Sequence, residues 1–168
     1  MTAAAVCAHI PEPMDLPLDT GPAASDAMDA GETPYRLRRP ARQTVPLVFA
    51  SPHSGRVYPL SFVASARLDA LALRRSEDSF VDELFAAAPE HGAPLLAASF
   101  PRVFCDVNRE PWELDPGMFE GPLPSWVNTA SPRVGAGLGT IARVVASGEP
   151  VYRHKLSFAE AEDRIRRH

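Results

Sequence analysis

Residues 46–50, Pro-Leu-Val-Phe-Ala, form an unbroken apolar run that stops at Ser51-Pro52-His53-Ser54-Gly55. An unbroken run of this length predicts a buried strand over 45–50, central in its sheet, which Pro52 and Gly55 end. Residues 60–75 carry Leu68, Leu71 and Leu73 and read as partly helical. Over 77–88, Phe80, Val81, Leu84, Phe85 and Ala88 recur at i, i+4 and i+8 on adjacent rows, which predicts an amphipathic helix with this stripe in the core. Ser76 is placed to cap that helix, Glu77 and Asp78 fill its first turn, and Pro89 and Gly92 end it. Residues 94–100 and 103–107 read as two short strands, or one bent at Pro101. Residues 110–131 are rich in Pro and Gly around Trp112, Phe119 and Trp126 and predict a long structured loop, often a functional feature in a compact domain.

Residues 134–140 are Gly-rich, and 141–146 and 151–154 read as a strand or helix pair turned at Ser147-Gly148. Ser157 and Glu160 form a capping box for a helix that begins near 158 and meets no stop signal by His168. Strands alternating with helices argue for an α/β sandwich with a mainly parallel sheet. Residues 1–33 show no sustained period and are rich in Ala, Pro, Asp and Gly, so 1–43 is expected to be a disordered or loosely packed extension and 44–168 the domain.

Composition narrows the function classes. The chain has 168 residues, 45% of them hydrophobic, and a net charge of −4, which fits one domain with a real core. Arg36, Arg38, Arg39 and Arg42 form only a short basic cluster, so no nucleic-acid track is expected. No apolar run approaches a membrane span. Cys7 and Cys105 make no disulfide framework, and a reduced, cytoplasmic setting is expected.

Three polar clusters carry the candidate chemistry. His53 follows a buried strand, where α/β proteins build sites; it is either a zinc ligand or a loop histidine bonded to its neighbours. Glu77 and Asp78 could supply a carboxylate ligand, or simply favour the helix dipole. Arg102 and Arg109 flank Val103-Phe104-Cys105-Asp106-Val107; their forks could hold a substrate carboxylate or pair with Asp106. Asn108 could donate to substrate or turn the chain. Other motifs fail: there is no Gly-x-Ser-x-Gly elbow, and Gly135-x-Gly137-x-Gly139 lacks the spacing and preceding strand of a dinucleotide loop.

In order along the chain, Ser51-Pro52-His53-Ser54-Gly55 with Tyr58-Pro59, Ser76-Glu77-Asp78-Ser79-Phe80-Val81-Asp82-Glu83-Leu84, Pro101-Arg102, Asp106-Val107-Asn108-Arg109-Glu110, Glu113-Leu114-Asp115-Pro116 and Gly135-Ala136-Gly137-Leu138-Gly139 resemble the N-formylglutamate amidohydrolase family. The resemblance runs from about Pro46 to the C-terminus. It implies a three-layer α/β/α sandwich of the phosphorylase/hydrolase-like, zinc-peptidase type, with a mainly parallel or mixed sheet, incomplete here. It also implies zinc-dependent hydrolysis of N-formyl-L-glutamate to formate and L-glutamate, a step of histidine degradation.

The family is distantly similar to aspartoacylase and the zinc carboxypeptidases. By that likeness His53 is the first histidine ligand and Glu77 the carboxylate ligand, with Asp78 as fallback. Arg102 polarises the scissile carbonyl, and Asn108 and Arg109 hold the substrate carboxylate. Family members are longer and carry a later Asp-Cys-His-Ser run. The second histidine ligand and the general base are therefore expected beyond residue 168, and the chain is expected to be C-terminally truncated. The rival expectations are a hydrolase of another N-acyl amino acid, and an incomplete remnant that only binds an acidic ligand.

Overall fold

The computed structural model describes residues 33–168; the expected extension lies mostly outside them. Strands β1 (Tyr35–Arg38), β2 (Phe49–Ser51) and β3 (Leu95–Ala98) form one mixed sheet in the order β1-β3-β2. β2 runs parallel to β3, with Phe49 opposite Leu95 and Ser51 opposite Ala97. β1 runs antiparallel to β3, with Tyr35 opposite Ala98 and Arg38 opposite Leu95. The strand at the end of the first apolar run is thus at the sheet's edge rather than its centre, and it is shorter than 45–50. The central place belongs to β3. β1 lies in the stretch read as loose extension; Arg36 ties it to the domain through a 2.8 Å ion pair with the buried Asp82.

Helices α1 (Leu60–Ser65), α2 (Ala70–Arg74), α3 (Val81–Leu84), α4 (Pro132–Gly135) and α5 (Phe158–Arg167) complete the α/β arrangement. Asp69 caps α2 by accepting from the Ala72 N–H at 2.8 Å. Ser157 caps α5 as its capping box predicts, accepting from the Glu160 N–H at 3.2 Å.

The helix expected over 77–88 shrinks to the single turn α3. Its capping position is Phe80, not Ser76, and Phe80 sits at φ 64°. The reason is a long-range bond: the Asp78 N–H donates to the His53 carbonyl, so residues 77–80 turn toward the His53 loop instead of entering a helix. The apolar stripe is consequently not core. Leu84 is 78% exposed and Phe80 and Phe85 about half exposed, while Ala88 is buried.

Residues 103–107 are likewise not a strand. Phe104 and Cys105 both turn back on the Pro101 carbonyl, and the Asp106 N–H donates to Thr140 O. The segment is a buried turn, which brings Arg102 and Asp106 together.

The core lies beneath this turn. Phe62, Leu73, Phe100, Val103, Leu114, Ile141, Val145, Val151 and Ala161 are buried in one cluster. The rings of Phe62 and Phe104 meet edge-on at 5.4 Å between centroids. The Arg164 guanidinium lies 4.6 Å over Phe104 and donates to the Tyr152 hydroxyl, so α5 closes the core with a buried, paired cation. One face of the sheet is an open groove of about 880 Å³, lined by Tyr35, Leu37, Val48, Ala50, Leu96 and Ala98, the last of which also joins the core cluster. No helix among the described residues is long and apolar enough to cross a membrane.

Candidate active site

The loop after β2 is held tightly before any ligand is considered. Gly55 presses on the next strand's exit; a Cβ there would lie 2.0 Å from the Phe100 carbonyl oxygen, so only glycine fits. Ser51 and Ser54 are buried with their hydroxyls 2.7 Å apart, and Ser54 also donates to the Asp78 carbonyl at 2.7 Å. His53 is consequently fixed and buried, at the C-terminal end of β2.

Both ring nitrogens of His53 meet carboxylates. Nε2 lies 2.8 Å from Asp106 Oδ1, and Nδ1 lies 3.1 Å from Asp78 Oδ2. Asp106 is buried and is the hub of the cluster. It accepts from Arg102 Nη2 at 2.8 Å and from the Asn108 backbone N–H at 3.0 Å, and Arg109 Nε lies 3.8 Å away. Burial by itself would raise the Asp106 carboxyl; the hydrogen bond and charge of His53, the Arg102 charge and the Asn108 N–H together outweigh it and hold the group at about 2. Asp106 is therefore ionised and acceptor-only, so His53 Nε2 donates to it, while Nδ1 faces the Asp78 carboxylate.

The other expected residues fall into two groups. Asp78 is at the cluster, its side chain 53% exposed and its Oδ1 4.0 Å from Arg102 Nη1. Arg102 reaches both carboxylates. Glu77, the first-named carboxylate ligand, is not turned toward His53. It is buried and accepts from the Tyr58 hydroxyl at 2.7 Å and from Arg74 Nε at 3.1 Å. Adjacent residues project to different sides, and here Glu77 anchors the turn while Asp78 meets His53. Burial first, then this bond to Glu77, pushes the Tyr58 hydroxyl well above its usual range.

Arg109 gives its guanidinium to the carbonyls of Asn108 and Leu138, at 2.9 and 3.3 Å, beside Asp106. Asn108 is exposed and borders the open groove. Reading the residues in order missed Asp106 as the partner of His53, and missed Ser51 and Ser54. The pairing of Arg102 with Asp106, four residues apart, was open to a sequence reading; the His53–Asp106 contact joins residues 53 apart and leaves no local signal.

Zinc bound by histidine and carboxylate sits about 2.0–2.2 Å from each donor, so two such ligands lie roughly 3.3 Å apart in a tetrahedron. The His53 Nδ1 to Asp78 Oδ2 separation of 3.1 Å suits one edge of that figure. The carboxylate behind Nε2 is the usual outer support of a metal-bound histidine. The donors fit as two of the three a catalytic zinc takes. Among the described residues, no group of three His, Cys, Asp or Glu side chains is arranged to hold a metal ion.

The family model for N-formylglutamate amidohydrolase matches residues 45–168. This chain belongs to the N-formylglutamate amidohydrolase family. The crystal structure of N-formylglutamate amidohydrolase from Ralstonia eutropha JMP134, at 2.00 Å resolution, superposes with a TM-score of 0.74 at 40% sequence identity. The match covers 82% of this chain and 48% of that one, so the chain spans about half the length of this relative. None of the curated proteins compared matches it. His53, Asp78, Arg102 and Asp106 are gathered at one point by three separate loops.

Proposed function

We propose that this chain carries the His53 site of a zinc-dependent N-formylglutamate amidohydrolase, hydrolysing N-formyl-L-glutamate to formate and L-glutamate. The observation that supports it most is the placing of His53 between Asp78 and Asp106, in a chain of this family. His53 Nδ1 and Asp78 Oδ2 would hold the metal, and zinc there would polarise the formyl carbonyl and acidify a water. Asp106 accepts from Nε2–H, so that in the neutral ring Nδ1 would turn its lone pair toward the metal. Arg102 is anchored by Nη2 on Asp106, and its Nη1, 4.0 Å from Asp78 Oδ1, would stabilise the developing oxyanion beside the metal site. Asn108 and Arg109 hold the substrate carboxylate and set the amide over the metal site. The substrate is a small acidic N-acyl amino acid, the reaction a step of histidine degradation, the compartment the cytoplasm. The fold proposed for the domain is a three-layer α/β/α sandwich.

Formate release from N-formyl-L-glutamate by the zinc-supplied protein tests this. We expect release that is faster than deacylation of the N-acetyl analogue and is abolished in His53→Ala. Equal rates on both substrates would favour a broader N-acyl amino acid hydrolase. Binding of glutamate without any release would favour a protein that only binds an acidic ligand, a reading supported by the two donors found among the described residues.

A further inference from the structure

The Asp78 side chain is half exposed, so packing does not aim it at His53. Its backbone is what is held. The Asp78 N–H donates to the His53 carbonyl at 3.0 Å, and the Asp78 carbonyl accepts from Ser54 Oγ at 2.7 Å. One loop thus grips both polar groups of one residue. A carbonyl can only accept and a hydroxyl has one proton, so Ser54 spends its proton on Asp78. Toward Ser51 it must then be the acceptor, and Ser51 the donor at 2.7 Å. The result is a directed relay from the last residue of β2, through Ser54, to the backbone of Asp78. Both serines are buried, and Gly55 is jammed against Phe100, so the relay has little freedom to shift.

We infer that Ser54 is a positioning residue that sets the His53–Asp78 spacing through its hydrogen bond to the Asp78 carbonyl, with Ser51 fixing the Ser54 hydroxyl. As a role toward zinc this rests on the proposed metal site, but the spacing itself does not. Residues supporting a metal ligand typically change metal affinity 10–100-fold when removed. Ser54→Ala deletes the donor, while Ser54→Thr keeps the hydroxyl.

The test is a zinc titration followed by the His53 imidazole ¹⁵N resonances, with circular dichroism to check folding. Ser54→Ala is expected to weaken zinc binding about 10–100-fold. In the metal-free protein it is expected to move the Nδ1 resonance, which faces Asp78, and to leave Nε2, which faces Asp106, in place. Ser54→Thr is expected to restore both. Unchanged zinc affinity and an unchanged Nδ1 resonance in folded Ser54→Ala would overturn the inference. If the unsubstituted protein takes up no zinc, the metal reading falls, and the Nδ1 resonance alone decides the positioning role. If Ser54→Ala does not fold, Ser51→Ala, which leaves the Ser54–Asp78 bond available, decides in the same way: a smaller shift of Nδ1 supports the relay and no shift contradicts it.

Discussion

Leu95 and Leu96 are neighbours on the central strand, yet they live in different worlds. Leu95 is 2% exposed opposite Phe49, whose ring stacks on Phe85 at the end of α3, whereas Leu96 is 38% exposed on the face lined by Tyr35, Leu37, Val48 and Ala50. At the strand ends the contrast becomes chemical. The loops that carry His53 and Asp106 bury polar groups and pair them with one another, within a sequence interval of more than 50 residues. The open face is a largely apolar groove, with Arg39 and Arg42 among its lining residues. The difference teaches where order comes from in this chain. The candidate site is fixed by converging hydrogen bonds, each costly to leave unmade once buried, while the open face adds little that unfolding would lose.

The largest effect belongs to the closed side. Phe62→Ala removes a fully buried ring that packs on Phe104, Tyr58 and Tyr152, and is expected to destabilise by about 3–5 kcal/mol in chemical denaturation. A loss below about 1 kcal/mol would mean that the core is not where the described burial puts it.

Asp106 comes next. Its folded carboxyl is held at about 2, below the ordinary value of 3.8. A depressed carboxyl gives stability that is present above pH 4 and is lost as pH falls from about 4 toward 2. The metal-free protein should therefore lose about 2 kcal/mol across that window. Asp106→Asn should abolish most of this acid dependence and cost stability at neutral pH, since it leaves His53 and two arginines without their anion. An unaltered acid profile in Asp106→Asn would show that the hub lies elsewhere.

Cys105 sharpens the contrast by reactivity. Burial is the main cause that pushes its thiol up to about 12. At pH 8 it should resist alkylation in the folded protein and react once denatured, as followed by mass spectrometry. The smallest effect is expected from Leu96→Ala on the open face, below about 1 kcal/mol. A loss near that of Phe62→Ala would show the face to be covered.

The sequence pattern was most legible where a local signal settled the structure. Ser157 caps α5 because the cap needs only residues 157–160, and the His53 loop follows an apolar run that ends in Pro and Gly. The pattern misled where a distant partner outvoted it. Phe80, Val81, Leu84 and Phe85 keep helical spacing, but the Asp78 N–H is claimed by the His53 carbonyl, 25 residues away, and the helix starts late. β1 gave no signal because all four of its residues are exposed, and only pairing with β3 makes it a strand. Between Glu77 and Asp78, composition cannot choose. The choice is made by Tyr58 and Arg74, which capture Glu77 and leave Asp78 to face His53.

That choice is also the most direct test of the central claim, that His53 and Asp78 form the metal-facing pair. The measurement is the zinc-induced shift of the His53 imidazole ¹⁵N resonances in Asp78→Asn and Glu77→Gln. The account predicts that Asp78→Asn abolishes the shift while Glu77→Gln retains it. Retention in Asp78→Asn together with loss in a folded Glu77→Gln would contradict the account.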